Sequence, residues 1–366
     1  MGLQCGIIGL PNVGKSTIFN ALTKANIPAE NYPFCTIDPN VGIVGIPDSR
    51  LNKLAEIYNP KKITPANVQF IDIAGLVSGA SQGEGLGNQF LGQIRQAQAI
   101  IHVVRCYEDS NITHVEGVID PIRDAELIET ELLLADIQSL EKRVVKIKKQ
   151  KKNLKKESSD ELDLLLRLIE HCNNGSRALN FFMNEEEFKF ISELHLLTIK
   201  PILYVANIDE KELIRKKKGI HTSRLVEYLK KRETPSIEIC GKLEHEISVL
   251  SKEEKKVFLK EYNLLEPSLN KLIRAGFKML GLGTFFTGGP NEVKAWTLKK
   301  GSNASLAAKE IHSDIQRGFI KAEIIKYKEL EEYGSERAVK DAGLARLEGR
   351  DYIVNDGDCI FFHFNI

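Results

Sequence analysis

The chain has 366 residues, 42% of them hydrophobic, which is enough for two domains that each bury a core. Its 51 basic and 50 acidic residues nearly cancel, so attraction to nucleic acid has to come from a local patch and not from the net field. Six scattered cysteines without a CxxC pair argue against a disulfide scaffold or a zinc site, and no segment reaches the ~20 apolar residues that span a bilayer.

The start, MGLQCGIIGL, carries no charged leader, and Gly6 stands where a myristoylation signal wants Ser or Thr. A soluble cytoplasmic protein is expected. From Leu3 to Thr17, LQCGIIGLPNVGKST joins a short apolar run to the spacing G-x-x-x-x-G-K-S, and helical spacing continues to Thr23. That order predicts strand, phosphate loop and helix. Gly9 and Gly14 let the backbone wrap a phosphate chain at the positive end of the helix. The candidate contacts are Asn12, Val13, Gly14, Lys15, Ser16 and Thr17, with the Lys15 charge at the β- and γ-phosphates and the Ser16 hydroxyl on Mg²⁺.

The parts of a nucleotide switch follow in order. NYPFCTIDPN carries Thr36, and VQFIDIAGL ends in Asp72-Ile-Ala-Gly75. In such a switch Asp72 holds Mg²⁺ through water, the Gly75 N–H senses the γ-phosphate, and Thr36 closes over the metal. The glycine-rich SGASQGEGLGNQF reads as a second switch segment, with a helix beginning near Asn88. The glutamine that orients water in small GTPases is replaced by Leu76, which cannot do so. His114, in the loop after the strand AIIHVVRC, is nominated for that role because imidazole exchanges protons near neutral pH. A solvated loop histidine is the plain alternative.

Past Glu126, Leu133, Ile137, Leu140, Val144, Ile147 and Leu154 keep a heptad register, interrupted by Lys151, that predicts one arm of a helical hairpin. Lys142, Arg143, Lys146, Lys148, Lys149, Lys151, Lys152, Lys155 and Lys156 line its polar face, and residues 158–160 are expected to cap a returning helix through Leu162, Leu165 and Ile169. A row of cations with few aromatics suits the phosphate backbone of structured RNA better than stacked single strands.

PILYVANIDE then gives a buried strand ending in Asn207, Ile208, Asp209 and Glu210. A guanine-binding loop would read Asn-Lys-x-Asp there, its aspartate accepting from guanine N1–H and N2–H. Adenine offers neither donor. Glu210 is one methylene longer, Ile208 leaves only an apolar contact, and Asn207 can reach N7, which both purines share. The segment Glu238-Ile-Cys-Gly241-Lys242 stands where a guanine site has Ser-Ala-Lys. Beyond it, a helix over 267–280 leads to a glycine-rich joint, GLGTFFTGGPNE. A strand over 293–298, an amphipathic helix over 306–315, a strand over 322–326 and a turn at 355–358 between strands 352–354 and 359–362 suit a β-grasp module.

Together GLPNVGKST, NYPFCTIDPN, DIAGLVSGASQGEGLGNQFL and NIDE resemble the Obg-like ATPase (YchF) family, and the likeness runs from Met1 to Ile366. EVKAWTLKKG, GFIKAEII and LEGRDYIVNDGD resemble that family's terminal TGS domain. The resemblance implies an α/β fold with a G-domain-like P-loop NTPase sheet, an inserted coiled-coil hairpin and a C-terminal ubiquitin-like β-grasp domain. The expected boundaries are 1–280, with the insertion at about 126–200, and 281–366. It further implies a slow Mg²⁺-dependent ATPase switch that binds the ribosome or structured RNA, with adenine preferred through Asn-x-x-Glu. Asn12 matches the asparagine that helps place K⁺ in potassium-stimulated relatives. An Obg-type GTPase and a ribosome-binding module with a mainly structural nucleotide are the alternatives.

Overall fold

In chain order the computed structural model gives β1 (Gln4–Ile8), α1 (Lys15–Lys24), β2 (Val41–Gly45), α2 (Ser49–Tyr58), β3 (Lys62–Thr64), β4 (Asn67–Asp72), α3 (Leu86–Gln96) and β5 (Ala99–Arg105). Then come α4 (Pro121–Lys149), α5 (Glu157–Asn173), α6 (Glu185–Ser192), β6 (Ile202–Asn207), α7 (Glu210–Arg215), α8 (Ile220–Lys231), β7 (Ser236–Ile239), α9 (Gly241–Val249), α10 (Lys252–Glu261) and α11 (Ser268–Met279). The C-terminal part holds β8 (Leu282–Thr287), β9 (Glu292–Lys299), α12 (Ala304–Ile311), α13 (Ser313–Arg317), β10 (Phe319–Lys326), α14 (Tyr327–Tyr333), α15 (Glu336–Asp341), β11 (Arg346–Glu348) and β12 (Asp358–Phe364). The structure describes residues 4–24, 40–73, 86–112, 114–115, 117–149, 157–215 and 217–365, without the side chains of 86–89, 157–159 and 252. Thr36, Gly75, Leu76, Cys35, Leu154 and the lysines at 151, 152, 155 and 156 lie outside them. The described residues form two compact units.

The sheet of the first unit runs β2-β4-β1-β5-β6-β7, and β1, β5, β6 and β7 pair in parallel. Every residue of β5 and β6 is buried. Their mostly apolar sequences, AIIHVVR and ILYVAN, are what a sheet covered on both faces demands. Because these strands share a direction, the loops leaving them gather along one edge, the position where open α/β sheets bind ligands. This is an α/β P-loop fold.

Between β5 and β6 the chain inserts α4, α5 and α6. Leu133, Leu140, Val144 and Ile147 of α4 bury against Leu164, Leu165, Leu168 and Cys172 of α5, with Ile137, Leu162 and Ile169 partly buried at the margin. The heptad positions within the described residues therefore form the packed seam. Ser158, Ser159 and Asp160 do not cap α5 from outside, because the helix is already under way at Glu157. In α6 the Asn184 side chain accepts from Glu187 N at 2.8 Å while Glu187 accepts from Asn184 N at 2.9 Å. This reciprocal cap is worth about 1 kcal/mol.

Polar side chains tie α4 to the turn before β6 and the insertion to α3. Asp136, fully buried, accepts from the Leu197 and Thr198 N–H groups at 2.7 Å each and from the Thr198 hydroxyl. Three such bonds offset much of the cost of burying a carboxylate, although burial still raises its pKa. Arg95, at the end of α3, donates to Ser139 Oγ at 2.8 Å and to the His195 carbonyl at 3.1 Å.

The second unit comprises 43–69 and 270–365 among the described residues, around a sheet ordered β11-β10-β12-β8-β9-β3. Phe285, Leu298, Ala307, Ile324, Ile360 and Phe362 belong to its core. The stretch expected as a glycine-rich joint is instead the buried strand β8, antiparallel to β9 and parallel to β12. Burial of Phe285 and Phe286 outweighs the entropy its glycine loses. The helix expected over 306–315 is split at His312, whose backbone is extended and whose Nδ1 accepts from Asp314 N at 3.2 Å. Residues 352–354 form no strand, only a bridge from Ile353 to Asn303.

Residues 43–69 fall within the span assigned from sequence to the nucleotide-binding domain, yet they cluster with the C-terminal residues. β3 extends the second sheet parallel to β9, Arg50 pairs with Asp356 at 2.7 Å, and the Tyr58 hydroxyl donates to Glu336 at 2.6 Å. Among the described residues no helix is long and apolar enough to cross a membrane. Cys5, Cys106, Cys172, Cys240 and Cys359 are free and buried.

Candidate nucleotide site

The loop after β1 is shaped by close approaches. A Cβ on Gly9 would meet the Val103 carbonyl oxygen at 2.4 Å, and one on Gly14 would meet Asn207 Nδ2 at 2.3 Å. Gly14 also sits at φ 94°, and Asn12 is left-handed at φ 62°, a region that asparagine tolerates. The first helical bond of α1, from Ile18 N to the Gly14 carbonyl, measures 3.1 Å. The loop thus delivers its backbone to the positive end of α1. Ser16 and Thr17 are exposed, whereas Lys15 is buried and donates through Nζ to the Leu10 carbonyl at 2.8 Å. Burial lowers the Lys15 pKa to about 8, against an opposing pull from Asp72.

Asp72 closes the other side of the loop, its Oδ2 accepting from the Ser16 hydroxyl at 3.0 Å. Its Oδ1 is buried with no hydrogen-bond partner among the described residues. Burial raises the Asp72 pKa, opposed by the Ser16 hydrogen bond and the Lys15 charge. An unsatisfied carboxylate oxygen beside a hydroxyl is the oxygen donor set that Mg²⁺ accepts, and this ion usually takes one or two protein oxygens and completes its shell with water and phosphate. The residues present therefore fit Mg²⁺. No cluster of three or more His, Cys, Asp or Glu suited to a metal occurs among the described residues.

At the base end, Asn207 joins two loops. Its Nδ2 donates to the Val13 carbonyl at 2.8 Å and its Oδ1 accepts from Gly241 N at 3.0 Å. A carboxamide has two N–H donors, so a second remains for a purine N7. Ile208 is buried, and its N–H donates to the Ile239 carbonyl at 2.9 Å. A cavity of about 400 Å³ opens here, lined by Gly14, Thr17, Tyr107, Asn207, Ile208 and Glu210 among others. That volume is in the range of small-ligand sites. Glu210, the first residue of α7, accepts from the Tyr262 hydroxyl at 2.8 Å, and Lys242 Nζ stands 3.9 Å from its other oxygen.

The structure thus brings Lys15, Ser16 and Asp72 together at one end, and Asn207, Ile208 and Glu210 at the other. His114 stands outside both groups. It is buried, not solvated, and its Nε2 lies 2.8 Å from Asp124, whose second oxygen accepts from Arg123 at 2.9 Å. It does not line the cavity. Sequence reasoning missed Arg105, which is buried and donates to the carbonyls of Tyr107, Asp109 and Ile112 at 3.0–3.2 Å. That one side chain holds the loop forming the cavity wall. A lone arginine at the end of an apolar strand was the available signal.

Comparison with known proteins places the chain in a family. Residues 282–365 match the YchF-GTPase_C family, described as a protein of unknown function (DUF933), and residues 4–130 match the MMR_HSR1 family, described as a 50S ribosome-binding GTPase. The chain is 50% identical to the "Ribosome-binding ATPase YchF" of Bacillus subtilis (strain 168) and 46% identical to that of Escherichia coli O157:H7, in each case over 100% of both chains. Among solved structures it resembles the Schizosaccharomyces pombe YchF GTPase, with a TM-score of 0.90 and 35% identity over 99% of this chain and 98% of that one.

Proposed function

The chain belongs to the YchF family, and from that premise we propose that it is a ribosome-binding ATPase that couples nucleotide state to RNA binding. The observation that carries the nucleotide chemistry is the Ser16–Asp72 contact, which leaves the second carboxylate oxygen buried and unsatisfied beside the phosphate loop. Mg²⁺, when bound, neutralises the phosphate oxygens and draws charge from the leaving group. Ser16 and Asp72 would hold it, with Thr36 as a third ligand. Lys15 exchanges the Leu10 carbonyl for the β- and γ-phosphates, and the backbone N–H groups of residues 12–17 cradle the chain. Gly75 senses the γ-phosphate, and His114 orients the attacking water. Asn12 would hold a K⁺, which would supply charge that other NTPases take from an arginine finger.

Asn207 reads N7, Ile208 lies against the ring, and Glu210 meets the adenine edge. The names of similar proteins divide between ATPase and GTPase, and Glu210 in place of aspartate supports ATP. The inserted hairpin acts as a coiled-coil arm. Its exposed Lys142, Lys146, Lys148 and Lys149 face rRNA phosphates, the C-terminal unit acts as a TGS module on the same particle, and the protein works in the cytoplasm.

A second reading, in which nucleotide is chiefly structural, draws on His114 being paired with Asp124 instead of facing the cavity. The deciding experiment measures dissociation constants for ATP and GTP, ribosome binding with ATP, ADP and a non-hydrolysable analogue, and turnover with and without ribosomes and K⁺. Tighter ATP than GTP, nucleotide-dependent ribosome binding and stimulated turnover support the switch. GTP bound at least tenfold tighter sinks the adenine assignment, and nucleotide-independent binding with unchanged turnover favours the structural role.

A further inference from the structure

We propose that Tyr262 is a positioning residue for base selection, holding the Glu210 carboxylate so that it serves adenine's amino group and not guanine's paired N–H donors. The proposal rests on the reading above that a purine base occupies the cavity beside Asn207, Ile208 and Glu210.

Neither partner of the Tyr262–Glu210 bond is free to drift. Tyr262 caps the C-terminal end of α10, its N–H bonded to the Phe258 and Lys260 carbonyls, and its ring stacks on Phe258 with centroids 4.6 Å apart and planes at 21°. The hydroxyl is therefore set by a helix end and a stacked ring. Glu210 opens α7, where the Asp209 side chain accepts from Lys211 N at 2.8 Å and fixes the first turn. The 2.8 Å bond between hydroxyl and Oε1 joins two backbones far apart in the chain and sets the carboxylate's plane.

The consequence for recognition follows from counting donors. Guanine presents N1–H and N2–H side by side, and a carboxylate satisfies them only by turning both oxygens to that edge. The Tyr262 hydroxyl occupies one lone pair of Oε1 and holds the carboxylate's orientation, so only Oε2 keeps both acceptor sites open and the pair is not free to turn squarely onto guanine's two donors. Adenine's edge asks for one acceptor, at the 6-amino group, and its N1 is itself an acceptor that a second carboxylate oxygen would repel. Lys242, 3.9 Å from Oε2, does not compete at hydrogen-bond distance. The phenol's own titration carries the imprint of the contact, its pKa raised to about 12, chiefly by the hydrogen bond to Glu210.

The test is a set of dissociation constants for ADP and GDP, measured by calorimetry on the full chain and on Tyr262→Phe, Glu210→Ala and the double variant. Phenylalanine keeps the stack on Phe258 and removes only the hydroxyl. Tyr262→Phe is expected to narrow the ADP-over-GDP preference about tenfold, the scale of one charge-assisted hydrogen bond, with GDP affinity rising. In the Glu210→Ala background the same substitution is expected to change nothing further. Equal loss of both nucleotides, or an additional effect without Glu210, overturns the positioning role. An unchanged ratio in Tyr262→Phe alongside an altered one in Glu210→Ala overturns it while leaving Glu210 as the base reader; no change in either variant removes Glu210 from base recognition as well.

Discussion

The hydroxyl of Ser16 donates to Asp72 Oδ2 at 3.0 Å, so the two residues assigned to Mg²⁺ touch at the phosphate loop while Asp72 Oδ1 keeps no hydrogen-bond partner among the described residues. Replacing Asp72 by Asn keeps the shape and an acceptor for Ser16 but removes the negative charge. Asp72→Asn is expected to make nucleotide affinity insensitive to Mg²⁺ and to lower turnover by about a hundredfold or more. ADP and ATP binding with Mg²⁺ and with EDTA measures the first effect. A wild-type response to Mg²⁺ in the variant would exclude Asp72 as a ligand.

His114 sits on Asp124 at 2.8 Å in a buried environment. His114→Ala is expected to cut turnover by roughly a hundredfold or more while leaving ATP affinity within a few fold. It should also destabilise the fold by about 1–3 kcal/mol, because a buried carboxylate loses a partner. Single-turnover hydrolysis beside a binding isotherm separates these effects. Parallel loss of affinity and rate, or no loss of either, removes His114 from the chemistry.

Asn207 spans Val13 and Gly241 with one side chain. Asn207→Ala should therefore weaken ATP and GTP alike, since N7 and the phosphate loop are common to both. It should also cost about 2 kcal/mol of stability, because two buried backbone groups lose partners. Thermal melts with each nucleotide check this, and a selective loss of one purine would contradict it.

The histidine at 102 supplies a pH dependence. Fully buried against Tyr204, with ring centroids 4.8 Å apart, it has its pKa lowered from 6.5 to about 3, first by burial and then by the Lys15 charge. The unfolded chain binds its proton below about pH 6.5 and the folded chain only near 3. Stability from this group therefore falls as pH drops through that window, by up to about 1.4 kcal/mol per pH unit. In urea titrations between pH 7 and 4, His102→Phe should show a shallower acid decline than the wild type. Equal slopes would refute the assignment.

What could be read in the sequence was what short spacing encodes. Lys15, Ser16 and Asp72 announce themselves because phosphate and metal chemistry demand fixed neighbours within a few residues. Asn207 and Glu210 were legible because one ends a largely apolar strand and the other follows three residues later. Tyr262 was not, since nothing near it in the chain marks it as the partner of Glu210. Asp136 reaches the turn before β6 by the same kind of long-range bond, invisible to periodicity. β8 was misread for the opposite reason, because dense glycine nearby outweighed the two phenylalanines that bury it. His114 was found by residue type and loop position, which carry no information about the carboxylate it packs on.

The pairing of β3 with β9 has a consequence for the order of synthesis. Residues 43–69 are made early, but the strand they join and the partners of Arg50 and Tyr58 lie beyond residue 290. At about 5–20 residues per second, making 70–269 takes on the order of 10–40 s. For that time the emerging chain exposes an edge strand and a helix face with no mate. A terminal fragment starting at 270 would meet the converse problem, a sheet whose outer strand was left on another piece. The last-made quarter of the chain finishes what the second ten percent began.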